Sequence, residues 1–177
     1  TELNPMPTTL LLGASRGIGL ELARQAVAAG ERVIATARSD DGLATLRELG
    51  CQVLKLDVAN PASVSGLAWQ LDGEKIDTAW HVAGVMCTRS DARQPPTAPE
   101  FDRVMHANVR GAMQAIPQVA PLVESAGGRF FFLFHFTLFM PGMLGIYVVG
   151  ALAMNYSFQV AIALLAARLA GMPHGLV

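Results

Sequence analysis

The chain has 177 residues, of which 52% are hydrophobic and 15% are charged, and its formal net charge is −1. This length fits one domain with a core of ordinary size, and the small net charge argues against a nucleic-acid binder, which would carry a basic face. Cys51 and Cys87 lack CxxC spacing, which favours two thiols in a reducing compartment over a disulfide. Because the first seven residues carry no signal-peptide pattern, we expect a cytoplasmic protein.

Short apolar runs alternate with longer helical patterns along the chain. The runs predict strands at residues 8–12, 32–37, 52–58 and 76–83, and a fifth strand that begins after Gly127 and Gly128. The helical patterns cover residues 20–29, 43–49, 61–71, 99–124 and 147–169, and Pro117 and Pro121 should bend or segment the fourth helix. Apolar strands separated by helices predict an α/β fold with a parallel sheet that is covered on both faces. Residues 174–177 would begin a sixth strand.

The sequence GASRGIG, from Gly13 to Gly19, lies between the first predicted strand and the first predicted helix. Glycines in this position allow a tight turn and let the backbone approach a pyrophosphate, while the helix N-terminus offers free N–H groups. The spacing is G-x-x-x-G-x-G rather than G-x-G-x-x-G. A simple turn would explain the glycines alone, but their place directly between a strand and a helix favours dinucleotide binding.

The segment LLGASRGIGLELARQ resembles the cofactor turn of the short-chain dehydrogenase/reductase family, near its C-factor-like, carbonyl-reducing members. The segments LDV, HVAGV and MHANVRGAMQ resemble further family motifs and follow in the family's order. The resemblance implies a doubly wound, Rossmann-type parallel sheet of strand order 3-2-1-4-5. It also implies a single NAD(P)-binding domain over residues 1–177 that is truncated at its C-terminal end. The cofactor would be held by Gly13, Ser15, Arg16, Gly17, Ile18, Gly19, Arg38, Asp57, Ala83 and Gly84.

The charges around the glycine turn favour one of the two dinucleotides. An acidic side chain about 20 residues past the glycines would bind the ribose 2′-hydroxyl of NAD and repel a 2′-phosphate. Arg38 occupies that place, and Arg16 lies within the turn. Either arginine alone would be an ordinary surface residue. Together with the missing acidic residue they favour NADP(H) over NAD(H), because guanidinium groups pair well with phosphate.

The catalytic pattern that the family resemblance implies is incomplete in this chain. Family members use a tyrosine acid/base, a lysine that lowers the pKa of the tyrosine, a serine and an asparagine. Tyr147 and Asn108 match the tyrosine and the asparagine, but Ala151 stands at the lysine position and the serine position falls on His135 or Phe134. His135 would either hydrogen-bond a substrate oxygen or pack beside the neighbouring phenylalanines.

Two functions follow from this incomplete pattern. The resemblance implies an NADP(H)-dependent oxidoreductase for a small carbonyl/alcohol pair, with Tyr147 as proton donor and Asn108 as support. The alternative is a catalytically impaired nucleotide-binding or interaction protein of the same fold, which Ala151 favours. No metal site is expected. The resemblance also implies a homodimer or homotetramer, because the apolar helices at residues 101–123 and 147–169 match surfaces that the family buries between subunits.

Residues 130–149 carry no formal charge and have the length of a membrane-spanning helix. Pro141, Gly142, Gly145 and His135 argue against a span. The aromatic residues of 128–136 instead favour a buried strand, which a loop and a buried helix would follow. We therefore expect no membrane partner, although a membrane-associated protein that uses this apolar segment remains a third hypothesis.

Overall fold

The computed structural model describes residues 6–86 and 96–133, and all of these residues belong to one compact unit. They form a parallel sheet with the strand order β3-β2-β1-β4-β5, which confirms the predicted order. The strands are β1 (Thr8–Leu12), β2 (Arg32–Ala37), β3 (Gln52–Lys55), β4 (Thr78–His81) and β5 (Arg129–Phe132). The predicted sixth strand lies outside the described residues. A single domain over residues 1–177 stays a prediction.

Helices cover both faces of the sheet, as a doubly wound fold requires. The helices are α1 (Gly17–Ala28), α2 (Asp40–Glu48), α3 (Pro61–Ser65), α4 (Leu67–Gln70), α5 (Ala98–Met105) and α6 (Gly111–Ser125), and the π-helical turn His106–Arg110 joins α5 to α6. Successive strand residues point to opposite faces. Leu11 therefore belongs to the core under α1 and α2, whereas Leu10 and Leu12 belong to the core under α3, α4 and α6.

Two strands end earlier than predicted, and both leave the sheet beside the same cavity. The third strand was expected at residues 52–58, but β3 ends at Lys55. The backbone N–H of Asp57 donates to the hydroxyl of Ser63 at 3.0 Å, which takes the chain out of the sheet. The fourth strand was expected at residues 76–83, but β4 spans only Thr78–His81. Beyond it, the N–H groups of Val82 and Ala83 both donate to the carbonyl of Leu12, so regular pairing stops.

Four of the five predicted helices are present, and the fifth, expected at residues 147–169, lies outside the described residues. Two of the four differ from the prediction for local reasons. The helix expected at residues 61–71 is divided into α3 and α4, because Gly66 interrupts it. The helix expected at residues 99–124 is interrupted at the π-helical turn rather than at its prolines. Pro117 and Pro121 lie inside a continuous α6 and on its exposed side, where carbonyl groups that lose a helical partner still contact water.

The fifth strand is confirmed over residues 129–132, but the expectation that it is buried is wrong for Phe131 and Phe132. These two side chains are 39% and 40% exposed, whereas Phe130 packs against the core. The reason is that β5 is the edge strand of the described sheet and pairs with β4 alone. Among residues 6–86 and 96–133, no helix is long and apolar enough to cross a membrane. Residues 134–149 of the candidate span lie outside the described residues.

Cys51 is a free and buried thiol, as the sequence predicts, and burial raises the pKa of its thiol group. Cys87 lies outside the described residues. The buried position under α2 suits a cysteine that acts as a small apolar residue of the core.

Candidate functional site

A cavity of about 420 Å³ opens at the carboxyl ends of the parallel strands. Ligands of open α/β sheets bind at this edge. All ten residues that the sequence singles out for a cofactor line this cavity, namely Gly13, Ser15, Arg16, Gly17, Ile18, Gly19, Arg38, Asp57, Ala83 and Gly84. The fold therefore brings together four segments that are far apart in the sequence.

The glycine turn after β1 is packed so tightly that two of its residues have no room for a side chain. Gly13 has a φ of 92°, and a Cβ atom there would lie 2.5 Å from the Cα atom of Ala83. A Cβ atom at Gly19 would overlap the carbonyl oxygen of Gly13. Gly17 has a φ of 56° but open space around it, so only its backbone conformation requires glycine. At Gly13 and Gly19 the turn thus packs bare backbone against Ala83 and against itself.

The turn is anchored to the end of β2 by a residue that sequence reasoning missed. The N–H of Gly13 donates to the hydroxyl of Thr36 at 2.9 Å, and the N–H of Ala14 donates to the carbonyl of Thr36 at 2.9 Å. Thr36 also lines the cavity and is buried. The only sequence signal was a hydroxyl side chain two positions before Arg38. Its role became visible only when β2 was placed beside β1.

The N-terminus of α1 faces the same cavity and has no side-chain cap. Ser39, Asn60 and Thr97 precede α2, α3 and α5, and each accepts a hydrogen bond from a backbone N–H of its helix. Arg16 holds this position before α1, and its side chain makes no capping hydrogen bond. No acidic residue occupies the first turn of α1. Its first N–H groups and the positive end of its dipole therefore remain available to an anionic ligand.

Two exposed cations and one carboxylate surround this helix end. Arg16 and Arg38 line the cavity, and neither forms a salt bridge with a residue in the described part of the chain. Asp57 also lines the cavity, and its Oδ1 accepts a hydrogen bond from the N–H of Ala59 at 3.0 Å. This bond fixes the carboxylate, so that the site has a positive end and an oriented acceptor.

Asn108 holds the cavity wall that follows β4, and it does not itself line the cavity. Its Oδ1 accepts from the N–H of Val85 at 2.8 Å, and its Nδ2 donates to the carbonyl of Val85 at 2.8 Å. The side chain is buried and lies in the π-helical turn. The side chain of Asn108 thus gives the backbone of Val85 the two hydrogen bonds that a neighbouring strand would otherwise supply. Its predicted support of catalysis stays a prediction.

Gly111 brings the same helix close to the segment after β3. A Cβ atom at this position would lie 2.6 Å from the carbonyl oxygen of Val58. Val58 and Ala107 both line the cavity, so this close packing sets the distance between two of its walls. Besides Thr36, Val85, Val58 and Ala107, the lining residues that sequence reasoning did not single out are Ala37, Leu56, Ala59, Val82 and Met86.

The predicted proton donor Tyr147 lies outside the described residues, and so do Ala151, His135 and Phe134. Of the predicted catalytic pair, the described residues therefore include only Asn108, which holds the wall of the cavity that the predicted cofactor residues line. Within residues 6–86 and 96–133, no group of three or more histidine, cysteine, aspartate or glutamate side chains is arranged to hold a metal ion.

The order of the strands and the glycine turn define a Rossmann-type fold. Residues 13–136 match the family model described as enoyl-(acyl carrier protein) reductase. The chain belongs to the short-chain dehydrogenase/reductase family. This confirms the resemblance seen in the glycine turn and in the three motifs that follow it.

Individual relatives support the same family. The chain is 35% identical over 125 residues to 1-hydroxy-2-glutathionyl-2-methyl-3-butene dehydrogenase of Rhodococcus sp. (strain AD45). The aligned region covers 67% of this chain and 52% of the relative. It is 32% identical over 123 residues to NADPH-dependent pterin aldehyde reductase of Arabidopsis thaliana. This aligned region covers 66% of the chain and 50% of the relative. The chain thus spans about half the length of these curated relatives.

Solved structures of the family have the same fold. A crystal structure from Burkholderia multivorans, described as a short-chain dehydrogenase/reductase with bound NADP, superposes with a TM-score of 0.63 at 28% sequence identity. The match covers 73% of this chain and 58% of that one.

Proposed function

We propose that the cavity at the carboxyl ends of the strands binds NADP(H), and that the protein is an oxidoreductase for a small carbonyl/alcohol pair. The observation that carries this proposal is the uncapped N-terminus of α1 behind a turn with no room for side chains at Gly13 and Gly19. Such an arrangement suits a pyrophosphate, because the backbone can approach the ligand closely. When bound, the dinucleotide would supply or accept a hydride.

The residues of the cavity divide the binding task between backbone and charge. The N–H groups at the start of α1 would bind the pyrophosphate, and the carboxylate of Asp57 would orient the adenine end. Arg16 and Arg38 would pair with the 2′-phosphate, which distinguishes NADP(H) from NAD(H). The names of two relatives support this choice: the Arabidopsis reductase is NADPH-dependent, and the Burkholderia structure contains NADP.

The choice of dinucleotide is tested by binding affinity. We expect NADPH to bind more tightly than NADH, and Arg38→Asp to erase or reverse this preference. A lost bond to a charged group costs about 1.5–3 kcal/mol, which is roughly a tenfold to hundredfold change. Arg129→Asp is the matched control, because Arg129 is an exposed residue at the amino end of β5 and outside the cavity. Equal affinities of the unmodified protein for the two dinucleotides would contradict the proposal.

A second function has a specific observation in its favour. Ala151 stands where the family resemblance expects a lysine, and without that cation a tyrosine keeps a pKa near 10 and supplies little phenolate at neutral pH. The alternative is therefore a protein that binds NADP(H) but turns over carbonyl substrates poorly or not at all. Reduction needs the protonated phenol, so it should suffer less than alcohol oxidation.

Turnover separates the two functions. NADPH oxidation is measured with a panel of small aldehydes and ketones, for the parent chain, for Tyr147→Phe, and for Ala151→Lys combined with His135→Ser or with Phe134→Ser. Turnover by the parent that Tyr147→Phe abolishes would establish an enzyme that works without the lysine. A gain on restoration would show that the missing groups limit catalysis. No turnover in any of these variants, with NADPH still bound, would favour the binding protein.

The quaternary state and location are part of the same proposal. We infer a homodimer or homotetramer, which is supported by exposed apolar residues on α5 and α6: Phe101 is 41% exposed and Met113 is 70% exposed. A cytoplasmic location stays a prediction from the sequence.

A further inference from the structure

Lys55 is the last residue of β3, and it lies beside the segment that leads into Arg38. The register pairs the Cα atom of Lys55 with that of Ala37, the residue before Arg38. Ala37 lines the cavity, and so does Leu56, which follows Lys55. Lys55 itself is outside the lining, but its neighbours on both strands are part of it.

The ammonium group of Lys55 pairs with the first residue of α2. Its Nζ lies 2.7 Å from Oδ1 of Asp40, and the two side chains are 60% and 84% exposed. Hydrogen bonding by Lys55, and then its charge, lower the pKa of the Asp40 carboxyl group. Asp40 is therefore negatively charged at neutral pH, and Lys55 compensates that charge.

This ion pair is close in sequence to the arginine that the proposed function assigns to the 2′-phosphate. Asp40 follows Arg38 by two positions, and Asp41 adds a second carboxylate to the first turn of α2. Each carboxylate near Arg38 repels a phosphate and offsets the attraction of the guanidinium. Asp41 forms no salt bridge with a residue in the described ranges. Lys55 therefore neutralises one of the two acidic groups in the first turn of α2.

We propose that Lys55 is a specificity-determining residue, which preserves the preference for NADP(H) by neutralising Asp40 beside Arg38. This inference rests on the proposed function, since it concerns the same 2′-phosphate. Lys55 acts through Asp40 and is not among the residues that line the cavity. Its removal should therefore weaken NADPH binding and leave NADH binding nearly unchanged.

The experiment measures the affinity of the full chain for NADPH and for NADH and compares the ratio among variants. Lys55→Met should lower the preference for NADPH about threefold, the size expected for one exposed charge pair. Asp40→Asn in the same chain should restore the ratio, because the uncompensated carboxylate is then gone. The effect of Lys55→Met should shrink at 1 M salt, where the screening length is about 3 Å.

The control is Lys75→Met. Lys75 is the only other lysine of the sequence, it is exposed, and it precedes the amino end of β4, whereas the cavity lies at the carboxyl ends of the strands. Its replacement removes the same charge and should leave the ratio unchanged. A general structural defect would weaken the binding of both dinucleotides. The ratio of the two affinities therefore separates such a defect from a change in specificity.

Three outcomes would overturn the inference, and one of them concerns the proposed function as well. If Lys55→Met and Lys75→Met have the same ratio of NADPH affinity to NADH affinity, Lys55 has no part in specificity. If the loss persists in Lys55→Met combined with Asp40→Asn, Lys55 does not act through Asp40. If the unmodified protein binds neither dinucleotide or does not distinguish them, the proposed function fails and the inference fails with it.

Discussion

Two cavities in the described part of the chain have nearly equal volume and different chemistry. The first, of about 420 Å³, lies at the carboxyl ends of the strands, and the second, of about 440 Å³, lies on the sheet face beside α1. The second is lined by Thr9, Leu11, Leu22, Gln25, Ala26, Ala29, Glu31, Thr78, Trp80 and Phe131. It contains one carboxylate, no lysine or arginine, and no glycine turn, so it offers no cation to a phosphate. Volume does not identify the site, but the donors and charges that line it do.

The two cavities also differ in what builds them. The first is built by backbone, because Gly13 and Gly19 exclude side chains and α1 points its free N–H groups inward. The second is built by side chains, with the rings of Trp80 and Phe131 stacked at a centroid distance of 4.3 Å. Ligand binding at the first should therefore depend on backbone conformation, and substitutions in the second should affect only the stability of the sheet.

The largest effect is expected from Gly13→Ala. The new methyl group would overlap Ala83 and impose a φ of 92° on a residue with a side chain. We expect the free energy of unfolding to fall by about 2–4 kcal/mol and the affinity for NADPH to fall at least about tenfold. Chemical denaturation and NADPH titration measure the two effects.

Gly17→Ala is the matched control for that substitution. It has the same backbone requirement but open space around it, so it should cost only about 1 kcal/mol of stability. Equal losses for the two variants would show that the backbone conformation matters and the contact between the turn and β4 does not.

A smaller effect is expected from Asn108→Leu. The substitution removes both hydrogen bonds to Val85 and leaves two backbone groups without partners, which should cost about 2–3 kcal/mol of stability and weaken NADPH binding. Val119→Ala, in the core under α6, should cost about 2 kcal/mol without any change in affinity. If both variants bind NADPH as well as the parent does, Asn108 does not shape the site.

Trp80→Leu tests the second cavity. The loss of the stacked pair with Phe131 should destabilise the fold by about 1–2 kcal/mol, because ring stacking and apolar contact are both reduced. NADPH affinity should stay within about twofold of the parent value. A larger drop in affinity at unchanged fold content would mean that this face takes part in dinucleotide binding.

The smallest effect is expected at a salt bridge that is distant from the first cavity and outside both linings. Arg32 donates two hydrogen bonds to Glu74, one of them at 2.6 Å, and these lower the pKa of the Glu74 carboxyl group. The stability from this pair is present above the unfolded carboxyl pKa of about 4.3 and is lost as the pH falls through the lower pKa of the folded state. Glu74→Gln should therefore be less stable than the parent by under about 1 kcal/mol at pH 7, and this difference should narrow as the pH is lowered from about 4.3 to about 2. A gap that stays constant between these pH values would contradict this account.

Several features of the fold and site could be predicted because they depend on local constraints. The parallel sheet with helices on both faces follows from apolar runs separated by helices, whereas the strand order came from the family resemblance. The place of GASRGIG between a strand and a helix located the cavity. Gly127 and Gly128 likewise marked the start of β5, because the first has a φ of 64° and the second has no room for a Cβ atom beside Ile76. In each case a residue type is tied to a backbone requirement that the sequence shows directly.

Other features depend on contacts between distant segments, which no local pattern reveals. The anchor at Thr36 requires β2 beside β1, and the pairing of Asn108 with Val85 joins residues that are 23 positions apart. Residues 56–58 have the composition of a strand, but the hydrogen bond from Asp57 to Ser63 draws them into the cavity wall. Phe131 and Phe132 look like core residues, and only their place on an edge strand leaves them exposed.

The central claim is that the dinucleotide occupies the cavity built by the glycine turn. Backbone hydrogen exchange, measured with and without saturating NADPH, tests it most directly. The account predicts slower exchange in peptides that cover residues 13–19 and 82–86, and no change at residues 22–31 beside the second cavity. Protection confined to residues 22–31 and 129–133, or no protection in any of these segments, would contradict it.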